Sequence, residues 1–408
     1  MDNFADSDGL WWCEEKSIPV GGCLSVSPTG TITLDIPGGS LGDADQREKI
    51  FGASSDGKFI TLINSIRTNH TSSSSTGITS ERFVSDAAFF GERHFLNSGN
   101  RFVGVNIVTK NLASWTGLSG FDYKGDSNDP EGSVERILYR IPEVQVFKTA
   151  KGSIKLGAAS STSISVFPRG VTKSEKIYLE YLFGVPGSIE DLRFEISNIS
   201  YFLRTLSGHD QDPTELHSIF ENGLRLRTYF STLKSKTIEE GKFNPNEVLF
   251  WYDDIKTRFE AMFEAWQSLS VTKKNAILRC ISIIASKEFY FEDQIAYMGE
   301  GIKILGADKV RSDVENGIDS LLKRFSRKLF FDVKEEMRSV TSAVEIASSS
   351  RETILNTELR SSRDLALGRF FSELAFNFYC FEFLGLDDEI ILGGMRRSRR
   401  YAVLRMEG

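Results

Sequence analysis

At 408 residues the chain is too long for one ordinary core, and two or three domains are expected. Apolar residues make up 40% of it, 31 of them phenylalanine, which excludes a globally disordered chain. A net charge of −7 argues against unspecific coating of nucleic acid and leaves room only for a local basic site.

The start, Met1 to Asp6, is acidic and lacks the basic-then-apolar layout of a signal peptide. No apolar run approaches the length needed to cross a bilayer, so no membrane association is expected. Cys13, Cys23, Cys280 and Cys380 are scattered, with no close pair resembling a zinc site. The expectation is a reduced, cytoplasmic, soluble protein with no metal and no cofactor.

Through residues 1–187 the pattern predicts strands. Leu24–Val26 and Ile32–Ile36 alternate around a Pro28-Thr29-Gly30 turn. Further candidates are Phe59–Ile63, Val103–Ile107, Ile154–Leu156, Ile164–Val166 and Ile177–Tyr181. Short strands punctuated by Gly, Ser and Asn suggest a sandwich or open barrel. Thr71–Gly77 and Gly125–Gly132 read as loops. Trp11 and Trp12 suit core or edge packing better than a ligand site, and His94 has no partner at a catalytic spacing and reads as structural.

After Pro186-Gly187-Ser188 the period changes. Leu192, Ile196, Ile199, Leu203 and Leu206 lie at helical spacing, with Gly208 as the stop. Residues 188–285 read as a mixed, mainly helical connector. It includes an amphipathic helix through Ile255, Phe259, Met262 and Trp266 and an apolar helix over Ala276–Ser286. Residues 286–408 read as an all-α bundle. Val314 to Leu329 and Leu367 to Phe381 carry its seams, part of which could serve as a dimer face, and Gly385 closes the second. The fold class is therefore α+β: a β-rich, sandwich-like N-terminal region followed by a helical bundle. The basic tail Arg396–Arg400 reads as a solvated terminus or a contact for RNA phosphates.

One polar stretch has a suggestive spacing. Ser349 and Glu352 form a capping box at a predicted helix start, which puts Arg351 in the first turn, where an anion is favoured. Capping boxes are common, so these residues alone favour a capped helix with a solvated arginine.

Several blocks together resemble the ApeA-type abortive-infection proteins of bacteria, anti-phage proteins with a β-rich region ahead of a helical HEPN domain. They are Trp11-Trp12 with Pro19–Leu24 and Gly30–Leu34, then Phe51–Leu62, then Gly91–Phe95 with Val103–Val108 and Asn111–Trp115. Phe291–Leu305 is similar to the first HEPN helix. Each block is loose, and their order is the stronger signal.

The resemblance implies a ribonuclease-type effector acting on RNA, with tRNA among the candidate substrates, through 2′-OH attack. It also implies a phage-derived trigger and a homodimer through the helical domain. HEPN ribonucleases carry an arginine, a polar residue and then a histidine four to six positions on. Aligned by helix order, Arg351 and Glu352 take the first two positions and Asn356 falls where the histidine stands. No histidine follows His217, so no shift of register restores the motif. The domain is then inactive or attenuated as written, with Asn356 either natural or an introduced replacement. The alternative is a non-catalytic dimeric sensing or interaction protein with a degenerate HEPN domain.

Overall fold

The computed structural model describes residues 7–13, 18–27, 30–72, 78–94, 101–124, 136–165, 170–231, 243–285, 290–306 and 362–398. The chain forms two compact units. The first comprises Met1–Ser200 with Gln211–Gly241, and the second Tyr201–Asp210 with Lys242–Gly408.

The first unit is built on one antiparallel sheet. Its strands are β1 (Ser7–Trp12), β2 (Val20–Val26), β3 (Ile32–Ile36), β4 (Gln46–Ser54), β5 (Phe59–Ser72), β6 (Thr79–Gly91), β7 (Phe102–Thr109), β10 (Gln145–Thr149), β11 (Gly152–Ser165), β12 (Gly170–Gly187), β13 (Pro213–Phe220) and β14 (Arg225–Phe230). A separate hairpin joins β8 (Phe121–Lys124) to β9 (Arg136–Tyr139). Strands β1 to β6 close on themselves in the order β6-β3-β2-β1-β4-β5, with β5 returning to β6. A sandwich or open barrel was the expectation; here the edges are removed by closure. From β6 the sheet continues as an open wing, β14-β13-β7-β12-β11-β10.

Closure and wing share β6, which changes neighbour halfway along one edge. Glu81–Ser85 pair with β3, whereas Ala87–Phe90 pair with β14. The change falls at Asp86. Opposite it Asn64 adopts φ 50°, a left-handed conformation rare for a side-chain-bearing residue other than Asn or Asp. The Asp86 carbonyl has left the ladder and accepts from Ser231 N–H at 2.9 Å and from Arg193 Nη2 at 2.9 Å.

The barrel interior is apolar: Trp11, Leu24, Ile32, Leu34, Ile50, Ile60, Leu62 and Phe83 are buried in it. The Trp11 indole fits because the residue opposite it in register is Gly52, whose built Cβ would fall on the ring. Its Nε1–H donates to Gly22 O at 3.0 Å. Two short segments pack by the usual rules: α1 (Leu112–Thr116) ends on Gly117 at φ 64°, and α2 (Ile189–Ser207) ends on Gly208 at φ 71°. Arg193 of α2 stacks over the Phe230 ring at 5.0 Å, fixing the helix start to β14.

In the second unit the predicted helix through Ile255 and Trp266 is divided. Helix α3 (Tyr252–Ile255) closes when Arg258 N–H donates to Ile255 O at 2.8 Å, a tightened turn, and α4 (Phe259–Ser268) begins afresh. Phe202 packs against Phe259, Phe263 and Trp266. Helix α5 (Val271–Ala285) and α7 (Ser362–Phe383) both pack against α6 (Phe291–Gly306). Leu386 N–H to Phe381 O and Gly385 N–H to Glu382 O, both 3.0 Å, close α7 in a Schellman motif with Gly385 at φ 83°. The last helix, α8 (Asp388–Arg397), is capped by Asp387, which accepts from Ile390 N–H at 3.0 Å. No helix among the described residues is long and apolar enough to cross a membrane.

Candidate functional site

Arg351, Glu352 and Asn356, the residues the motif singles out, lie outside the described residues, as do the Val314–Leu329 seam and the loop Gly125–Gly132. Of the basic tail, Arg396 and Arg397 form the last turn of α8, where Arg397 Nη2 pairs with Asp254 at 2.6 Å. The buried cysteines are poor nucleophiles: burial pushes the Cys280 thiol up to about 12 and raises that of Cys380 as well. Among the described residues no group of three or more His, Cys, Asp or Glu is placed to hold a metal ion.

A polar cluster that sequence reading missed lies on one face of the wing. Strict alternation builds it. On β12, Lys176, Tyr178 and Glu180 point to one side, with Ile177, Leu179 and Tyr181 in the core. On β14, Arg225, Arg227 and Tyr229 share the polar side, with Leu226, Thr228 and Phe230 buried. Register then aligns a row across the strands: Lys155, Glu180, Asn106, His217 and Arg227, ending at Phe90 of β6.

Two carboxylates anchor this row. Glu180 is only 6% exposed; one oxygen pairs with Lys155 Nζ at 3.0 Å and the other with Arg225 Nη2 at 2.9 Å. Glu215 pairs with Lys176 Nζ at 2.5 Å and stands 3.8 Å from His217 Nε2. Burial raises the Glu215 pKa, but Lys176, His217 and Arg227 outweigh it and hold the carboxyl below its ordinary value. His217 is shifted the other way: burial lowers its pKa, the nearby cations Arg227, Lys176 and Arg225 add to that, and Glu215 opposes. The imidazole is therefore neutral at neutral pH. The signal in the sequence was Arg225-Leu226-Arg227-Thr228-Tyr229-Phe230, a period-two pattern inside a connector read as mainly helical.

A second cluster surrounds His94. Its ring meets Trp12, Phe51 and Phe59 edge to face at centroid distances of 5.3, 5.2 and 4.8 Å. Nδ1 lies 3.1 Å from Ile60 O, which makes it the protonated nitrogen, while Nε2 is buried without a hydrogen-bond partner. Burial lowers the pKa, and the bond to Ile60 only partly offsets this. This is a packed, neutral histidine, with Trp12 as edge packing and Trp11 as core.

These features define an α+β protein whose N-terminal part is a closed β-barrel extended by an open sheet, followed by helices. Residues 6–266 match the family described as ApeA N-terminal domain 1, and the chain belongs to that family, whose setting is anti-phage defence. Searches of curated proteins and of solved structures find no match.

Proposed function

We propose that the chain is an abortive-infection protein in which the β-rich part senses or regulates and residues 286–408 form a HEPN-type, dimeric effector acting on RNA. The supporting observation is the family match over residues 6–266, together with helices α5, α6 and α7 packed in the unit that follows.

In this reading the RNA 2′-OH attacks the adjacent phosphorus, the 5′ oxygen leaves, and no metal takes part. Arg351 neutralises the charge that develops on the phosphoryl oxygens, and Glu352 takes the polar position of the motif. A histidine at 356 would take the 2′-OH proton or return one to the leaving oxygen. Asn356 can hydrogen-bond a phosphate but has no usable proton equilibrium, which costs about a hundredfold to ten-thousandfold in rate. On an ideal α-helix a spacing of five residues is roughly 140°, which in this reading suits a site completed by a second copy.

The test is Asn356→His in the full chain, expressed in bacteria with and without phage challenge. Cleavage of cellular tRNA and growth arrest are expected, both lost when Arg351→Ala is added. Intact RNA and unimpaired growth under challenge would leave the non-catalytic interaction protein as the reading.

A further inference from the structure

We propose that the polar face of the wing, centred on Lys155, Lys176, Tyr178, His217 and Arg225, is a platform for single-stranded nucleic acid. This surface lies wholly within the first unit and goes beyond the ribonuclease reading: it would bind whether or not residues 351–356 cleave anything.

The electrostatics come first. The cluster carries four cations, Lys155, Lys176, Arg225 and Arg227, against the two carboxylates Glu180 and Glu215, an excess of two positive charges within it on a chain of net −7. Position matters more than the sum. Glu180 is nearly sealed from solvent with both oxygens engaged, whereas Arg225 and Lys176 are 54% and 58% exposed. The anions thus form a foundation that orients the cations, and the outward N–H donors remain for an oxyanion ligand. Arranging charged donors beforehand lowers the ordering cost on binding.

The second element is aromatic. Position 157 on β11 is glycine, and a Cβ there would lie 2.9 Å from Tyr178 Oη and 3.1 Å from Cζ. The half-buried Tyr178 ring therefore reaches across from β12 and lies along the sheet instead of standing up from it. Lying over Gly157, in the row between those of Lys155 and Lys176, the half-exposed ring is placed for a base to stack on it. The neutral His217 adds a second ring without adding repulsion. From Lys155 to Arg227 the row crosses five strands, roughly 19 Å at a spacing of ~4.8 Å, room for several nucleotides. An acidic peptide would use the cations and leave the ring idle, so a nucleic acid fits both features.

The experiment is fluorescence anisotropy of a labelled single-stranded oligouridylate with the full-length protein, over a salt series. The double variant Lys176→Gln with Arg225→Gln should bind at least tenfold more weakly, with a log–log salt slope smaller by about 1.4, two phosphate contacts at ~0.7 each. Tyr178→Ala should weaken binding about tenfold at unchanged slope, and Tyr178→Phe should bind as the parent does. Lys58→Gln with Arg82→Gln removes the same charge from exposed barrel positions and should leave affinity within about twofold. Circular dichroism melts check that each variant is folded. No binding by the parent at low salt, or equal losses in the sheet and barrel pairs, would overturn the proposal. Displacement of the oligonucleotide by polyaspartate at equal charge would overturn its assignment to nucleic acid and point to an acidic protein partner.

Discussion

Removal of the Glu81 carboxylate should unfold the barrel at markedly lower temperature. Its side chain is 0% exposed and holds the segment after β3 against β6. It accepts from Leu41 N–H at 2.8 Å, Ser40 Oγ at 2.8 Å and Arg67 Nη1 at 2.9 Å. In Glu81→Ala the Leu41 and Ser40 donors lose their acceptor, while Arg67 keeps Asp45, Gly42 O and Asp43 O. Because Arg67 stays paired and Ser40 is exposed, the cost is that of the lost charge-assisted bonds and the orphaned Leu41 N–H, about 2–4 kcal/mol. In a unit of this size each kcal/mol lowers Tm by roughly 2–4 °C, so a drop of about 4–16 °C is expected. Glu81→Gln keeps the shape but turns an amide donor toward existing donors, and should fall between parent and Ala.

The pH dependence carries the sign. Burial pushes the Glu81 pKa up, but Leu41, Ser40 and Arg67 together hold it below the ordinary value of 4.5. Its contribution is therefore complete above the unfolded value and is lost as pH falls through the lower folded one. Urea titration and thermal melts between pH 3 and pH 7, on the order of the range that brackets this titration, should show parent and Gln variant converging at the acid end. A Glu81→Ala penalty under about 1 kcal/mol at neutral pH would refute the view that this carboxylate clamps the barrel.

Two further outcomes follow from the barrel. Asn64→Val places a β-branched residue at φ 50° and should cost about 1–2 kcal/mol in urea unfolding, whereas Asn64→Gly should stay within about 0.5 kcal/mol of the parent. Because the folded pKa of His94 is depressed, the unfolded chain binds its proton first, so stability is full above the ordinary value of 6.5 and declines as pH falls through it toward the folded value. His94→Phe should flatten that part of the melting profile, and an unchanged profile would mean the imidazole titrates freely.

Much of the local structure was legible. Ile32–Ile36 and Ile177–Tyr181 alternate as a half-buried strand must, Phe59–Ile63 is a short apolar run, and each falls in a strand. Leu192 to Leu206 repeat at helical spacing and form α2, and Gly208 and Gly385 stop their helices with the positive φ that glycine adopts without penalty. These features depend on neighbours within a few residues, and the chain carries that information directly. Strands β13 and β14 were harder, because they sit after α2 in a stretch whose surroundings favour helices.

Closure of the barrel and assembly of the polar row belong to the tertiary structure. No local pattern says that β6 pairs with β3 along one half and β14 along the other, since the switch needs Asn64, Asp86, Arg193 and Ser231 to meet from four distant segments. Likewise Lys155, Glu180, His217 and Arg227 each look like an ordinary solvated residue on its own strand. Alternation sets which side each faces, but only register sets which side chains stand opposite one another, and a slip of one residue would send the whole set into the core. The sequence determined the faces; pairing between remote strands decided their neighbours.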